Sequence, residues 1–198
     1  MKSGKQPNIL LILADQHRYD CVGYSCIYPV RTPNIDRLAE QGVWFSNAYA
    51  PIPVCCPVRQ SMLNGRRPET FGALWNYNSG LKVSALSPGD YTWVKDIKEH
   101  GYRAGHVGKW DINPEYGPGY YGFDDHVQDA EYRDFRKDRY PYIKFSNGFF
   151  GETDPVLLEH SHTHWLADKT VQMMERYAKG SKPWLISLDF SEPHLPCR

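Results

Sequence analysis

The sequence has no excess of either charge, since 23 Lys and Arg balance 23 Asp and Glu among 198 residues. A basic surface is what usually attracts nucleic acids and acidic membranes, so we expect neither as a partner. Any anionic ligand must then be held by a local site. Hydrophobic residues make up 41% and charged residues 23%, as in ordinary globular proteins. The length predicts one domain spanning residues 1–198.

A long hydrophobic run near the amino terminus is also lacking. The apolar segment 8–14 stops at Asp15, which makes it too short for a signal-peptide core with a cleavage site or for a membrane span. As written, the chain is expected to be cytoplasmic, or periplasmic or secreted if a signal was removed.

The cysteines lack the spacing of a metal or redox motif. They stand at positions 21, 26, 55, 56 and 197, an odd number with no Cys-x-x-Cys pair. This pattern argues against a zinc ribbon and a thioredoxin-like site.

What the sequence does contain is an alternation of apolar runs and helical patterns, which predicts an α/β fold. The predicted strands are 8–14, 104–107 and 184–190, the first of them central and covered on both faces. The predicted helices are 33–41, 57–63, 92–100 and 165–177, the last with Ala167, Val171, Met174 and Ala178 on one face. Residues 111–160 are rich in Gly, Pro and Tyr and are interpreted as an irregular excursion over the site.

The most specific motif begins at Cys55, where the sequence reads Cys-Cys-Pro-Val-Arg as far as Arg59, with Gly65 ten residues after Cys55. It resembles the signature of the sulfatase family, whose members have an alkaline phosphatase-like fold with a mostly parallel sheet flanked by helices. The resemblance implies a sulfuric ester hydrolase in which a maturation enzyme oxidises Cys55 to formylglycine. Taken alone, the motif also fits two small buried thiols beside a turn proline.

The implied nucleophile has a clear chemical logic. A hydrated aldehyde is a geminal diol, so one oxygen attacks sulfur and the other later collapses to expel sulfate, an exit that a Ser or Cys ester lacks. Pro57 suits the first turn of a helix, which leaves residue 55 near free N–H groups that favour an anion. Arg59, one turn further on, is expected to hold the oxygens around the nucleophile.

Asp15 and Gln16 follow the first strand, at a position where sulfatases usually carry two adjacent acids that bind calcium. The resemblance implies that Asp15, Gln16 and residue 55 hold Ca²⁺, with Mg²⁺ or Mn²⁺ as alternatives. A Gln carbonyl oxygen is still a suitable calcium ligand, with one negative charge less. Gln at this position also occurs in the related phosphonate monoester hydrolases.

Two further segments resemble family elements. Gly108-Lys109-Trp110-Asp111 is similar to the family's Gly-Lys-Trp-His, which implies that Lys109 stabilises the transferring group. Asp111 departs from the pattern and would serve as a base or repel the anion. His194 lies in a segment similar to the family's Pro-His-x-Pro, which implies that it donates a proton to the leaving alcohol or forms a hydrogen bond with the sulfate.

Several other polar residues are weaker candidates. Asn76, which precedes Tyr77 and Asn78, would reach an anion or serve loop hydrogen bonding. Asp125-His126 looks like a metal pair, but it lacks a following Gly and is interpreted as a decoy. The histidines at 160, 162 and 164 are interpreted as exposed residues at a helix start.

The resemblance runs from residue 8 to residue 196 and covers only the first half of a family member. Further metal ligands are expected beyond Arg198, and residues 1–198 alone are expected to be inactive. The implied substrate is a small-molecule or carbohydrate sulfate ester. Two alternatives stay open: a phosphonate monoester or phosphodiester hydrolase of the same superfamily, and a non-catalytic fragment that binds glycans or a partner.

Overall fold

The computed structural model describes residues 6–77, 80–81, 83–148 and 151–196. Asn78, Cys197 and the ends of the predicted 1–198 domain lie outside the described residues.

The described residues form a four-stranded parallel sheet in the order β1-β4-β2-β3. Its strands are β1 (Ile9–Ala14), β2 (Arg103–Gly108), β3 (Asp125–Gln128) and β4 (Trp184–Phe190). Three of them match the predicted strands. Because the sheet is parallel, the carboxyl ends of β1, β2 and β4 meet at one edge, with Ala14 opposite Phe190 and Gly108 opposite Asp189.

Helices flank the sheet on both faces, as predicted. They are α1 (Pro33–Gln41), α2 (Cys55–Asn64), α3 (Trp93–Glu99), α4 (Asp129–Arg139) and α5 (His162–Ala178). Among the described residues no helix combines the length and the apolar character needed to cross a bilayer.

The alternation of side chains along β4 divides the core into two layers. Ile186 and Leu188 belong to a buried cluster with Leu166 of α5, whereas Leu185 belongs to a second cluster with Leu63 of α2. Successive residues of a strand point to opposite faces, so one strand serves both layers.

The prediction that residues 111–160 are irregular is wrong in part, because this region contains β3 and α4. A capping box starts α4: the Gln128 side chain accepts from the backbone at Glu131, whose carboxylate accepts from the Gln128 N–H at 3.0 Å. The segment was missed because charged residues dominate α4 and hide its periodicity.

The prediction that β1 is covered on both faces is also wrong for the described chain. β1 is the outer strand, paired only with β4 among the described strands, and Leu10 and Ile12 are 40% and 52% exposed. A continuous apolar run indicates that both faces of a strand suit burial, but it does not supply the elements that bury them.

The buried face of α5 differs from the predicted one. Val171 is 51% exposed, whereas Leu166, Met173 and Tyr177 are buried. The helix packs closely on β2, because a Cβ at Gly105 would collide with Met173. The Tyr177 hydroxyl donates to the Asp125 carboxylate at 2.6 Å, and this polar contact fixes the rotation of the helix.

Candidate functional site

The carboxyl edge of the sheet brings together residues that are far apart in sequence. Asp15 follows β1, Lys109 follows β2, and His194 lies four residues beyond β4. Cys55 is the first residue of α2, two residues earlier than the predicted helix start. Ligands of open α/β sheets bind at this edge, where the strands present polar termini.

The Cys55 sulfur lies between a carboxylate and an ammonium group. It is 3.9 Å from Oδ1 of Asp15, and the Lys109 ammonium donates to it at 3.5 Å. The adjacent backbone N–H of Cys56 donates to Oδ1 of Asn76 at 3.0 Å, so Asn76 fixes the start of α2. The helix therefore presents residue 55 to the sheet edge in a fixed position.

Cys56 stands in a different environment. It is buried, and burial, followed by the negative charge of Asp111, raises the pKa of its thiol to about 11. A thiol with this pKa stays protonated at neutral pH and is a poor nucleophile. Of the two adjacent cysteines, Cys55 is the one whose sulfur lies within 4 Å of charged side chains, those of Asp15 and Lys109.

Asp15 accepts from two cations through one oxygen. Its Oδ2 lies 2.8 Å from Nζ of Lys109 and 3.2 Å from the Arg59 guanidinium. Burial by itself would raise the pKa of Asp15, but Lys109 and Arg59 lower it below its ordinary value. The carboxylate is therefore charged, and its second oxygen faces Cys55.

Arg59 is buried and is shared between two carboxylates. Its guanidinium donates to Asp189 at 2.7 Å, to Asp15 at 3.2 Å and to the Lys109 carbonyl at 3.1 Å. These contacts hold the guanidinium beside Cys55. The expected role of Arg59 towards the oxygens around a modified residue 55 stays a prediction.

Asp189 was missed by reasoning from the sequence. It is a buried residue of β4 that accepts from Ser187 at 2.6 Å and lies 3.5 Å from Nε2 of His106. Burial lowers the pKa of His106 despite the nearby carboxylate of Asp189. The available signal was an acidic residue inside an otherwise apolar strand, because a buried charge requires a partner. We define Asp15, Arg59, Lys109 and Asp189 as the Lys109 cluster.

A glycine places Lys109 in this cluster. Gly108 has a φ of 102°, and a Cβ there would collide with the carbonyl oxygen of Asp189. The close approach lets the Lys109 N–H donate to that carbonyl at 2.9 Å. Burial by itself would lower the pKa of Lys109, but Asp15 and Asp111 raise it. Asp111, with a φ of 46°, lies 3.3 Å from Nζ of Lys109.

A cavity of about 380 Å³ opens at Cys55 and is also lined by Asp15, Gln16 and His194. Among the described residues, Asp15, Cys55 and His194 form one group whose possible ligand atoms lie within 4.8 Å of one another. Gln16 is exposed, with a φ of 58°. These donors suit part of a cation site, whereas calcium takes six to eight oxygens.

His162 corrects the interpretation of the three histidines as exposed residues. Its ring is only 17% exposed and lies 2.9 Å from Glu192 and 3.3 Å from Asp129. Burial by itself would lower the pKa of His162, but these carboxylates raise it to about 9. Ser191 donates to Asp129 at 3.3 Å. We define Asp129, His162, Ser191 and Glu192 as the His162 cluster. Helical periodicity could not predict this cluster, because its members come from α4, from α5 and from the segment after β4.

The pair Asp125-His126 lies outside the site. Asp125 forms ion pairs with Arg103 at 2.8 Å and Arg176 at 3.3 Å. These two ion pairs occupy the Asp125 carboxylate, and the interpretation of the pair as a decoy stays a prediction.

A family model described as Sulfatase matches residues 7–197. The chain belongs to the sulfatase family. An ulvan-active sulfatase of Formosa agariphila is 30% identical over 96% of this chain, and human iduronate 2-sulfatase is 32% identical over 96%. The sulfatase chain spans only 36% of the length of each of these two relatives.

Solved structures agree with the fold of this sulfatase chain. Ps i-CgsB is similar with a TM-score of 0.74 and 27% identity, covering 97% of this chain and 46% of that chain. A phosphonate monoester hydrolase of Agrobacterium radiobacter has a TM-score of 0.75 at 22% identity, covering 96% of this chain and 41% of that chain. The chain therefore has the alkaline phosphatase-like fold. It corresponds to the amino-terminal portion of its relatives.

Proposed function

We propose that this chain belongs to a sulfuric ester hydrolase whose nucleophile is a formylglycine formed from Cys55. The observation that carries the proposal is the position of the Cys55 sulfur, at the first residue of α2, 3.9 Å from the Asp15 carboxylate and 3.5 Å from the Lys109 ammonium. A helix start next to a fixed cation favours an anionic group, such as the sulfate of a substrate.

In this proposal a divalent cation, Ca²⁺ or alternatively Mg²⁺ or Mn²⁺, binds at Asp15, Gln16 and residue 55. Such a cation would polarise a sulfate oxygen when bound. The negative charge of Asp15 fits this role, since Arg59 and Lys109 both keep it ionised. Ligands beyond those of residues 1–198 are needed for a complete shell, so we expect the 198-residue chain alone to be inactive.

The remaining residues divide into groups that touch the substrate and groups that position others. We assign Lys109 to the sulfate oxygens and His194 to the leaving oxygen, as the proton donor. Nδ1 of His194 donates to the Leu195 carbonyl at 2.6 Å, which leaves Nε2 facing the ligand, so proton donation from Nε2 requires the ring in its doubly protonated form. Arg59 positions Asp15, and Asp111 positions Lys109 through their 3.3 Å ion pair.

The proposed substrate is a carbohydrate or small-molecule sulfate ester. The similar proteins point in this direction: one is named for ulvan and one for iduronate, and the structure of Ps i-CgsB has been solved with k-i-k-neocarrahexaose. A formylglycine-generating maturation enzyme is the implied partner. It would carry out a two-electron oxidation in which the Cβ of Cys55 becomes an aldehyde carbon, water supplies the aldehyde oxygen, the sulfur leaves as sulfide, and an external oxidant such as molecular oxygen accepts the two electrons.

Mass analysis of the peptide containing Cys55 tests this proposal directly. After coexpression of the full-length protein with a maturation enzyme, we expect residue 55 to have lost the elements of H₂S and gained one oxygen. Cys55→Ala should abolish hydrolysis of an aryl sulfate. Cys56→Ala is the matched control, because Cys56 is the adjacent thiol but is buried, and this variant should still be oxidised at residue 55.

Two outcomes would contradict the proposal. An unmodified Cys55 in cells that mature a known sulfatase would favour the non-catalytic, glycan-binding alternative. Turnover that survives in the Cys55→Ala protein would exclude residue 55 as the nucleophile.

A second candidate function is hydrolysis of phosphonate monoesters or phosphodiesters with the same nucleophile. Gln16 removes one negative charge from the metal position, and Asp111 replaces the His of the family pattern, so both leave room for this substrate. Parallel measurements of kcat/KM on an aryl sulfate and an aryl phosphonate monoester distinguish the two functions. A higher value for the phosphonate would favour the second.

A further inference from the structure

A second cavity, of about 580 Å³, adjoins the candidate site. Its wall includes Lys109 and Asp111, and the Lys109 ammonium is 3.5 Å from the Cys55 sulfur. A molecule in this cavity that contacts Lys109 is therefore separated from the proposed nucleophile only by the Lys109 side chain. The volume is that of an ordinary small-molecule site.

The wall of this cavity is polar and aromatic. It is built from the carboxyl ends of β2, β3 and β4 and from the segment 113–118, and it includes Tyr77, Trp110, Asn113, Tyr116 and Gln128. The aromatic faces match the apolar face of a sugar ring, and charged side chains of the wall such as Glu115 and Arg133 can pair with its hydroxyls. The chemistry suits a polyhydroxylated ring better than a hydrocarbon.

Part of the wall is fixed before any ligand binds. Oδ1 of Asn113 accepts from the backbone N–H groups of Glu115 and Tyr116 at 2.8 and 3.1 Å, while its Nδ2 donates to the Leu86 carbonyl at 2.9 Å. A preformed wall reduces the entropy lost on binding.

Two of the charged residues on the wall are paired with each other, one is paired with a residue behind the wall, and two exposed ones have no ion pair among the described residues. Asp111 pairs with Lys109, and Asp129 pairs with His162. In the part of the chain that the structure describes, Arg133 on α4 has no carboxylate within 4.0 Å. The exposed Glu115 likewise has no cationic side chain within 4.0 Å. The charge of Arg133 acts on the nearby Asp129, but no contact ion pair occupies the guanidinium, so it can contact an incoming acidic group.

We propose that this cavity holds the alcohol part of the sulfate ester and that this part is an acidic sugar, whose carboxylate or second sulfate pairs with Arg133. The inference rests on the proposed function for its link to Cys55. It assigns a recognition role to α4, whose other charged residues include Asp129, in contact with His162, and Arg136, which is paired with Asp154 at 2.6 Å.

Calorimetric titration of the full-length Cys55→Ala protein, which cannot turn over its ligand, tests this assignment. The ligands are a sulfated uronic acid monosaccharide, its analogue with the carboxylate reduced to an alcohol, and a disulfated neutral sugar. One of the two acidic ligands, the sulfated uronic acid or the disulfated neutral sugar, should carry the group that pairs with Arg133. We expect that ligand to bind about tenfold more tightly than the reduced analogue, as a charge-assisted contact would give. The two acidic ligands distinguish a carboxylate from a second sulfate.

Arg133→Gln should remove this preference. Arg139→Gln is the matched control, because it makes the same change of charge on the same exposed helix without lining the cavity. Circular dichroism verifies that both variants are folded. The inference is overturned if Arg133→Gln keeps the preference, if Arg139→Gln loses it equally, or if no sugar binds.

Failure of the proposed function would look different. It would show as a lack of turnover of an aryl sulfate, which contains no sugar, by the matured protein with Cys55 intact.

Discussion

The Lys109 cluster and the His162 cluster lie at the same edge of the sheet, but they differ in the group that carries the positive charge. In the first cluster the cations are Arg59 and Lys109, which stay charged at all physiological pH values. In the second the cation is the imidazole of His162, whose pKa of about 9 depends on its burial and its two carboxylates. The positive charge of the Lys109 cluster is therefore insensitive to pH in this range, whereas that of the His162 cluster is lost at alkaline pH.

The clusters also differ in what they leave open. Asp15 uses Oδ2 for both cations and keeps Oδ1 towards Cys55 and the cavity. The His162 cluster closes on itself, because Asp129 contacts His162 and Ser191, and Glu192 contacts the other ring nitrogen. The first arrangement leaves a carboxylate oxygen open towards Cys55, and the second holds the segment that carries His194 against α4 and α5.

The largest expected effect comes from removing the buried cation of the Lys109 cluster. Arg59→Met leaves Asp15 and Asp189 without their shared partner, and removal of one member of a buried ion pair costs about 3–5 kcal/mol. Denaturant unfolding measures the loss. Arg66→Met, at an exposed arginine just after α2, is the control and should change the free energy of unfolding by less than about 0.5 kcal/mol. Equal losses in both variants would show that the cluster is not what stabilises this edge.

A smaller effect is expected from pH acting on the His162 cluster. The pKa of His162 is higher in the folded chain, at about 9, than in the unfolded chain, at 6.5. Its contribution is therefore complete below pH 6.5 and is lost as the pH rises through about 9, by up to about 3 kcal/mol. His162→Gln should remove this part of the pH dependence, as measured by denaturant unfolding from pH 6 to pH 10.

The exposed His126 offers a control for that measurement. His126→Gln should unfold with the same pH dependence as the unsubstituted chain. If His162→Gln also keeps that dependence, the alkaline loss arises elsewhere.

The smallest effect concerns the one pair at the margin of the Lys109 cluster. Asp111 is 41% exposed, so a double-mutant cycle between Lys109→Met and Asp111→Asn should give a coupling below about 1 kcal/mol. The same cycle with Asp15→Asn should give a larger coupling, because Asp15 is 9% exposed. The reverse order would mean that Asp111, rather than Asp15, holds Lys109 in place.

The sequence by itself determined the features that depend on local chemistry. Apolar runs predicted three of the four strands, and each ended in the polar residues that the sheet then placed at one edge. The motif beginning at Cys55 indicated the family, because a cysteine followed by a proline and an arginine at this spacing can be recognised in the sequence without knowledge of the fold. The resemblance also named Asp15, Lys109 and His194 as candidates, and the structure places these three residues around Cys55.

Only the tertiary structure decided which of these residues touch. Arg59 and Asp189 are 130 positions apart, and no local pattern predicts that they share an ion pair. The His162 cluster, the outer position of β1 and the buried face of α5 depend likewise on contacts between distant segments. Periodicity reports what a segment is able to bury, whereas its partner is set by the packing of the whole chain, and this is why the candidate residues were predictable and their pairing was not.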